Sequence, residues 1–253
     1  MNKAEGLQPQ NLAVKVASTL SEIEQALRLR YQVFVEEPKN IHLMNETGIE
    51  QDEFDAYCDH LIVTDLDIQQ VIGTYRLLPG ERALQYIGFY SETEFDLSSF
   101  KDYMSQTLEI GRSCILPEYR NGRAIQMLWG GIADYIKRSG HQYLIGCVSL
   151  HLNNIQEINE LYSMLKHKGV ITDRYSIRPL DTHRIKELKL LDESEFDAKL
   201  INRKLPPLLK GYQWLGAELA GEPLCDPVFR TIDFFVILET AKVTKRYQRR
   251  FLG

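Results

Sequence analysis

The sequence predicts an α/β (α+β) fold, a mixed central β-sheet flanked by helices. Three observations carry that reading: short β-rich runs alternate with longer segments of helical period, two adjacent runs are spaced as an antiparallel hairpin, and no internal repeat or low-complexity segment interrupts the series. A chain of 253 residues, 44% hydrophobic and 26% charged, can bury a sizeable core. That length suits a single domain over residues 1–253, with 180–253 as an elaboration of its C-terminal end.

Residues 12–17 form the first strand. An amphipathic helix follows over 21–36, opened by Ser21 and the glutamates behind it, with Ile23, Ala26, Leu27, Val33 and Phe34 at roughly a 3.6 period. Residues 60–65 and 71–78, joined by a polar connection, read as a hairpin, and 107–116 as a third strand of the same kind. After a Pro-Glu-Tyr-Arg-Asn-Gly loop, 124–140 is helical and ends in Lys137, Arg138 and a Gly140 stop. Residues 143–150 are a buried strand, 153–169 a helix with an Asn start and a Gly169 stop, and 231–238 a last strand. A Pro-punctuated segment, 205–219, precedes that strand, and a basic tail with Lys242, Lys245, Arg246, Arg249 and Arg250 follows it. The order is β-α-β-β-β-α-β-α-β.

A net charge of −5 argues against a generally basic nucleic-acid binder. The first ten residues hold no apolar leader and no run approaches the roughly 18 apolar residues of a membrane span, so a cytoplasmic protein is expected. Cys58, Cys114, Cys147 and Cys225 lack CxxC spacing and read as reduced and structural. The histidines at 42, 60, 141, 151, 167 and 183 form no HExxH or other ligand spacing, so no metal is expected. With neither GxSxG nor a Cys/His signature, covalent nucleophilic catalysis has no support in the sequence.

Three groupings could carry chemistry. Arg120-Asn121-Gly122-Arg123 opens a long helix, where backbone N–H groups and two guanidinium groups suit an anion; a solvated βα loop is the alternative. Glu109 and Arg112 on the third strand point to opposite faces unless Gly111 marks a bulge, in which case both could serve one site; a structural Glu–Arg pair is the other reading. Arg76 lies in an apolar run and needs a carboxylate, which Asp52, Glu53 or Asp55 could supply. Between Asn40 and Tyr75 there is no Lys or Arg beside eight carboxylates, a block that taken whole reads as a solvated face.

Arg30-Tyr-Gln-Val-Phe34, Asp52-Glu-Phe-Asp55, Gly73-Thr-Tyr-Arg76-Leu-Leu78, Phe89-Tyr90 and Glu109-Ile-Gly-Arg112 occur in an order and spacing that resembles the GNAT-like acyltransferases using acyl-acyl carrier protein. That group includes acyl-homoserine-lactone synthases and the ornithine N-acyltransferases of ornithine-lipid synthesis, sometimes labelled hemolysin-like. The likeness spans roughly residues 25–150. Tyr57-Cys-Asp-His-Leu61, Phe89 to Phe95, Leu205-Pro-Pro-Leu-Leu-Lys-Gly-Tyr212 and Thr231-Ile-Asp-Phe-Phe235 are similar to the ornithine-lipid branch. One position departs: Tyr119 stands where the GNAT loop usually has Gln or Arg, which favours a carrier-protein donor over coenzyme A.

The resemblance implies a GNAT fold and transfer of a (3-hydroxy)fatty acyl group from acyl carrier protein to the α-amino group of an amino acid, ornithine first, giving a lyso-ornithine lipid. Glu109 would be the base and Arg112 its support; Arg30, Phe34, Asp52, Asp55, Arg76 and Phe89 would lie on the acceptor side, and Arg120, Gly122, Arg123 and Ser149 on the donor side. No permanently bound cofactor is implied, since the phosphopantetheine thioester is itself a substrate. Leu128, Trp129, Ile132, Leu144, Cys147 and Val148 could line an acyl slot or simply fill the core. The implied partners are acyl carrier protein and a small amino acid, with peripheral contact to the inner membrane surface through the basic tail and no nucleic acid. Another N-acyl amino acid synthase, an acyl-homoserine-lactone synthase and a non-catalytic acyl-binding module remain the alternatives.

Overall fold

The computed structural model describes residues 11–152 and 154–243, so Lys245, Arg246, Arg249 and Arg250 of the basic tail lie outside the described residues. In chain order the elements are β1 (Leu12–Val16), α1 (Leu20–Tyr31), β2 (Asp59–Asp65), β3 (Gln70–Pro79), the single turn α2 (Gly80–Arg82), β4 (Phe95–Asp96), β5 (Thr107–Ile115), α3 (Arg123–Ser139), β6 (Tyr143–Leu150), α4 (Ile155–His167), β7 (Ile171–Thr172), β8 (Arg178–Pro179), α5 (Ala198–Lys204), α6 (Pro207–Leu215), β9 (Glu218–Asp226) and β10 (Thr231–Glu239). The described residues group into two compact units, those up to Leu77 with Arg112–Tyr135, and Leu78–Gly111 with those from Ile136 onward. Strand β5 contributes its first five residues to the second unit and its last four to the first.

In the first unit β1 and β3 flank β2, both antiparallel to it. Leu61, Ile62, Val63 and Ile72 are almost fully buried, which is the burial expected of β-branched and aliphatic runs covered on a packed face. Helix α3 packs on this layer through Gly131, where an added Cβ would come within 3.0 Å of Leu61 and Val14 side chains. Helix α1 is capped by Thr19, whose side chain accepts the Glu22 N–H at 3.2 Å, while Glu22 takes the Ser18 N–H at 2.8 Å. It therefore begins a residue earlier than the expected 21–36. It also ends sooner as an α-helix: residues Gln32–Glu36 form a π-helical turn.

In the second unit β5 runs parallel to β6 over Thr107–Glu109, β6 and β9 lie antiparallel on either side of β10, and β7 is parallel to β9. The ladder is therefore mixed, as predicted. A short pair, β4 with β8, completes the unit. Strand β9 has no clear signal in the sequence because Gly221-Glu222-Pro223 interrupts its apolar run; the irregularity falls opposite Asp233–Phe235, a bulge that re-aims the strand there. The expected Pro-punctuated segment resolves into α6, started by Pro207 and stopped by Gly216 at φ +94°, with Leu209, Tyr212 and Leu215 turned inward.

The acidic block is not simply a solvated face. Glu50, Asp55 and Asp65 are buried, because their cationic or hydroxyl partners come from distant sequence. At the expected bulge, Arg112 adopts φ +49°, a left-handed conformation unusual for a residue with a β-carbon. All four cysteines are free thiols.

Candidate active-site residues

In the first unit, three arginines and three carboxylates form one network. The turn Glu53–Tyr57 prepares the anions: Asp52 caps it through the Phe54 N–H at 3.0 Å, and Asp55 takes the Asp52 N–H at 2.8 Å. Arg30, in the last turn of α1 and fully buried, meets Asp55 with two bonds of 2.6 and 3.0 Å and also holds Glu50. Arg76, on β3, bonds Asp52 at 2.5 Å and Asp55 at 3.4 Å, its guanidinium over the Phe54 ring. Arg112 joins Glu50 at 3.2 Å and Asp52 at 2.9 Å. Burial opposes ionisation of Asp55, but Arg30 and then Arg76 overcome it and hold the carboxyl down to about 2. Formal charges balance, and the side chains of Asp52 and Arg112 are the more open members, 23% and 12% exposed.

Buried His60 lies 3.9 Å from Asp55, and neither ring nitrogen has a hydrogen-bond partner among the described residues. Its burial, reinforced by Arg30 and Arg76 against Asp55, lowers its proton affinity.

In the second unit, Glu109 is buried on β5 and held by the turn Tyr90–Thr93. Its Oε2 accepts the Tyr90 N–H at 2.8 Å; its Oε1 accepts the Ser91 N–H at 2.8 Å and the Ser91 hydroxyl at 2.6 Å. Phe89, also buried, begins that turn, its N–H bonded to Glu92 at 2.7 Å. The Ser91 hydroxyl approaches the Cys147 thiol at 3.9 Å, and the thiol donates to Glu94 Oε2 at 3.4 Å. Burial, then Asp233 and Asp226, push the Glu94 carboxyl up to about 8. Burial, then Glu94, Asp233 and Glu109, push the Cys147 thiol well above its usual range. Glu94, Cys147 and Asp233 bring their polar atoms within 4.8 Å of one another.

The structure thus joins Arg30, Asp52, Asp55, Arg76 and Arg112, and adds Glu50. Glu53 is exposed. Phe34 sits half-buried in the π-helical turn. Arg120 is paired with exposed Glu37 through two bonds of 2.6 Å, Gly122 turns the chain at φ +93°, and Arg123 is the first residue of α3. Tyr119 donates its hydroxyl to Asp65 at 2.8 Å, and Ser149 donates to Asp233 at 2.8 Å. Leu128, Ile132, Leu144 and Val148 are core residues. Ser91, Glu94 and Asp233 acquire their surroundings only in three dimensions; in the sequence they belong to motifs with no assigned role.

The mixed sheet flanked by helices and the comparisons with known proteins together make this an acyltransferase of GNAT type. The family model for an acetyltransferase (GNAT) domain matches residues 29–130. The L-ornithine N(alpha)-acyltransferase of Brucella abortus (strain 2308) is 36% identical over 94% of this chain and 87% of its own length; that of Rhodobacter capsulatus is 30% identical over 97% and 98%. The chain belongs to the L-ornithine N(alpha)-acyltransferase family. Its fold is also that of FeeM, an N-acyl amino acid synthase from uncultured soil microbes, with TM-score 0.56, 9% identity and coverage of 95% and 99%.

Proposed function

We propose that the enzyme transfers a (3-hydroxy)fatty acyl group from acyl carrier protein to the α-amino group of L-ornithine, forming a lyso-ornithine lipid. The observation that carries this reading is the 36% and 30% identity, over 94% and 97% of the chain, to L-ornithine N(alpha)-acyltransferases. In the reaction an ammonium must lose a proton to become a nucleophile, then attacks the thioester carbonyl; the tetrahedral adduct expels the pantetheine thiolate, which takes up a proton, and one proton per turnover is released. Glu109 is the base. Its two backbone N–H partners and the Ser91 hydroxyl fix a carboxylate whose acceptor-only chemistry suits it to that task. Arg112, three residues along β5, supports the interrupted strand through Glu50 and Asp52.

Arg30, Asp55 and Arg76 form the closed part of the ionic network, and its open edge, Asp52 and Arg112, offers one anion and one cation to a zwitterionic acceptor. Half-buried Phe34 supplies apolar surface on the acceptor side, and buried Phe89 anchors the turn that holds Glu109. For the donor, Gly122 and Arg123 at the start of α3 and Ser149 on β6 take the pantetheine, while Arg120, Lys137 and Arg138 give an acidic carrier protein a basic approach. Among the described residues no helix is long and apolar enough to cross a membrane.

The test is mass spectrometry of products from purified protein with 3-hydroxyacyl carrier protein or acyl coenzyme A, each offered ornithine, glycine or S-adenosylmethionine. N-acylornithine made with the carrier-protein donor supports the reading. Acylation of another acceptor instead of ornithine, or no amide from either donor, contradicts it.

A further inference from the structure

Within the second unit a line of polar groups, buried at Ser91 and Glu94 and half-buried at Cys147, leads away from Glu109. Glu109 Oε1 accepts the Ser91 hydroxyl at 2.6 Å, Ser91 Oγ lies 3.9 Å from Cys147 Sγ, and the thiol donates to Glu94 Oε2 at 3.4 Å. Ser91 is 1% exposed and Glu94 3%. An acid is costly to bury, and Glu94 lies among further buried acids: Asp226 on β9 and Asp233 on β10 face it, with Tyr90 and Cys147 as its hydrogen-bonding neighbours. Asp233 is in turn bonded by Ser149. Nothing in the ornithine-acylation chemistry by itself requires this arrangement.

We propose that Ser91 and Cys147 carry the proton that Glu109 removes from the acceptor amine onward to Glu94. The inference rests on the reading of Glu109 as base. The balance is simple: the proton on Glu109 Oε1 bonds to Ser91 Oγ, the Ser91 proton passes to Cys147 Sγ, and the thiol proton passes to Glu94 Oε2. Protonated Glu109 and ionised Glu94 become ionised Glu109 and protonated Glu94, and no electrons change hands. The thiol already points its proton at Glu94. A carboxyl whose proton affinity is raised by burial and by Asp233 and Asp226 also makes the last transfer favourable relative to an ordinary carboxyl. Glu94 must be ionised to receive a proton, so turnover gains a component that rises with pH through the Glu94 titration.

The experiment compares kcat and KM from about pH 6 to about pH 9 for the wild type, Cys147→Ala, Cys147→Ser, Glu94→Gln and the Cys147→Ala/Glu94→Gln double variant, with thermal melts of each. Expected are kcat losses of about tenfold or more for Cys147→Ala and for Glu94→Gln, with both KM values held within about twofold. The double variant is no slower than the slower single, because both changes break one path. Cys147→Ser, whose hydroxyl still accepts and passes a proton, keeps most of the rate, and Glu94→Gln loses the alkaline rise. Wild-type kcat and pH dependence in Cys147→Ala and Glu94→Gln overturn the relay. If Glu109→Gln is inactive while those two are not, the relay alone falls; if Glu109→Gln retains full activity, the base reading and the relay fall together. Should Cys147→Ala unfold, Glu94→Gln breaks the same path independently.

Discussion

Ser91 gives both its backbone N–H and its hydroxyl to one oxygen of Glu109, at 2.8 and 2.6 Å. A carboxylate tethered at both oxygens by the backbone of Tyr90 and Ser91 keeps one orientation without waiting for a substrate. Ser91→Ala removes one of the three bonds and leaves the backbone pair, so kcat is expected to fall by about tenfold with KM within about twofold, and Ser91→Thr to restore most of it. Steady-state kinetics of the two variants checks this. Equal kcat in all three proteins would show that the hydroxyl does not help the base.

Arg30 is fully buried between Glu50 and Asp55. Arg30→Met leaves two buried carboxylates without their main cation and is expected to destabilise the protein by about 3–5 kcal/mol. The Lys variant cannot reproduce the bidentate contact and should recover only part of that loss. Denaturant midpoints at neutral pH measure both.

The two perturbed carboxyls act in opposite directions on stability. Asp55 is held down to about 2 in the folded protein, so its contribution is present above the ordinary aspartate range near 3.9 and disappears as pH falls toward 2. Asp55→Asn should therefore cost on the order of 2 kcal/mol more at neutral pH than in strong acid. Glu94, pushed up to about 8, binds a proton in the folded state that the unfolded chain has released, so the wild type loses stability as pH rises from about 4.3 to about 8. The melting temperature of Glu94→Gln should gain on that of the wild type across this interval. A constant difference between the two melting curves would contradict it.

Arg120 and Glu37 form a pair in which both side chains are about two-fifths exposed. Arg120→Ala is accordingly expected to change stability by no more than about 1 kcal/mol. If the start of α3 is the carrier-protein approach, the same substitution combined with Arg123→Glu raises KM for the carrier-protein donor several-fold and leaves kcat near wild type. An unchanged KM would move the docking surface elsewhere.

Much of this was legible in the chain. The hairpin of β2 and β3, β5, β6, β10 and helices α3 and α4 follow from local period and stop signals. The apolar surroundings of Arg76 demand a carboxylate from Asp52, Glu53 or Asp55, and the fold supplies Asp52 and Asp55 while Glu53 stays exposed. Three features needed the third dimension. Glu50 looks like any member of an acidic stretch, yet Arg30 and Arg112 reach it from 20 and 62 residues away. Strand β9 was hidden by Gly221 and Pro223, whose bulge is a property of pairing rather than of local pattern. Ser91, Glu94 and Asp233 are polar residues with no periodic signature, and Cys147 reads as an inert strand cysteine until the thiol is seen between Ser91 and Glu94.

The most direct test is to incubate wild type and Glu109→Gln with 3-hydroxyacyl carrier protein and ornithine, and to locate the acyl group in the product by tandem mass spectrometry. The account predicts acylation at the α-amino nitrogen by the wild type and a rate at least about a hundredfold lower in the variant, which folds normally. Acylation at the δ-nitrogen, or an undiminished rate in Glu109→Gln, would contradict it.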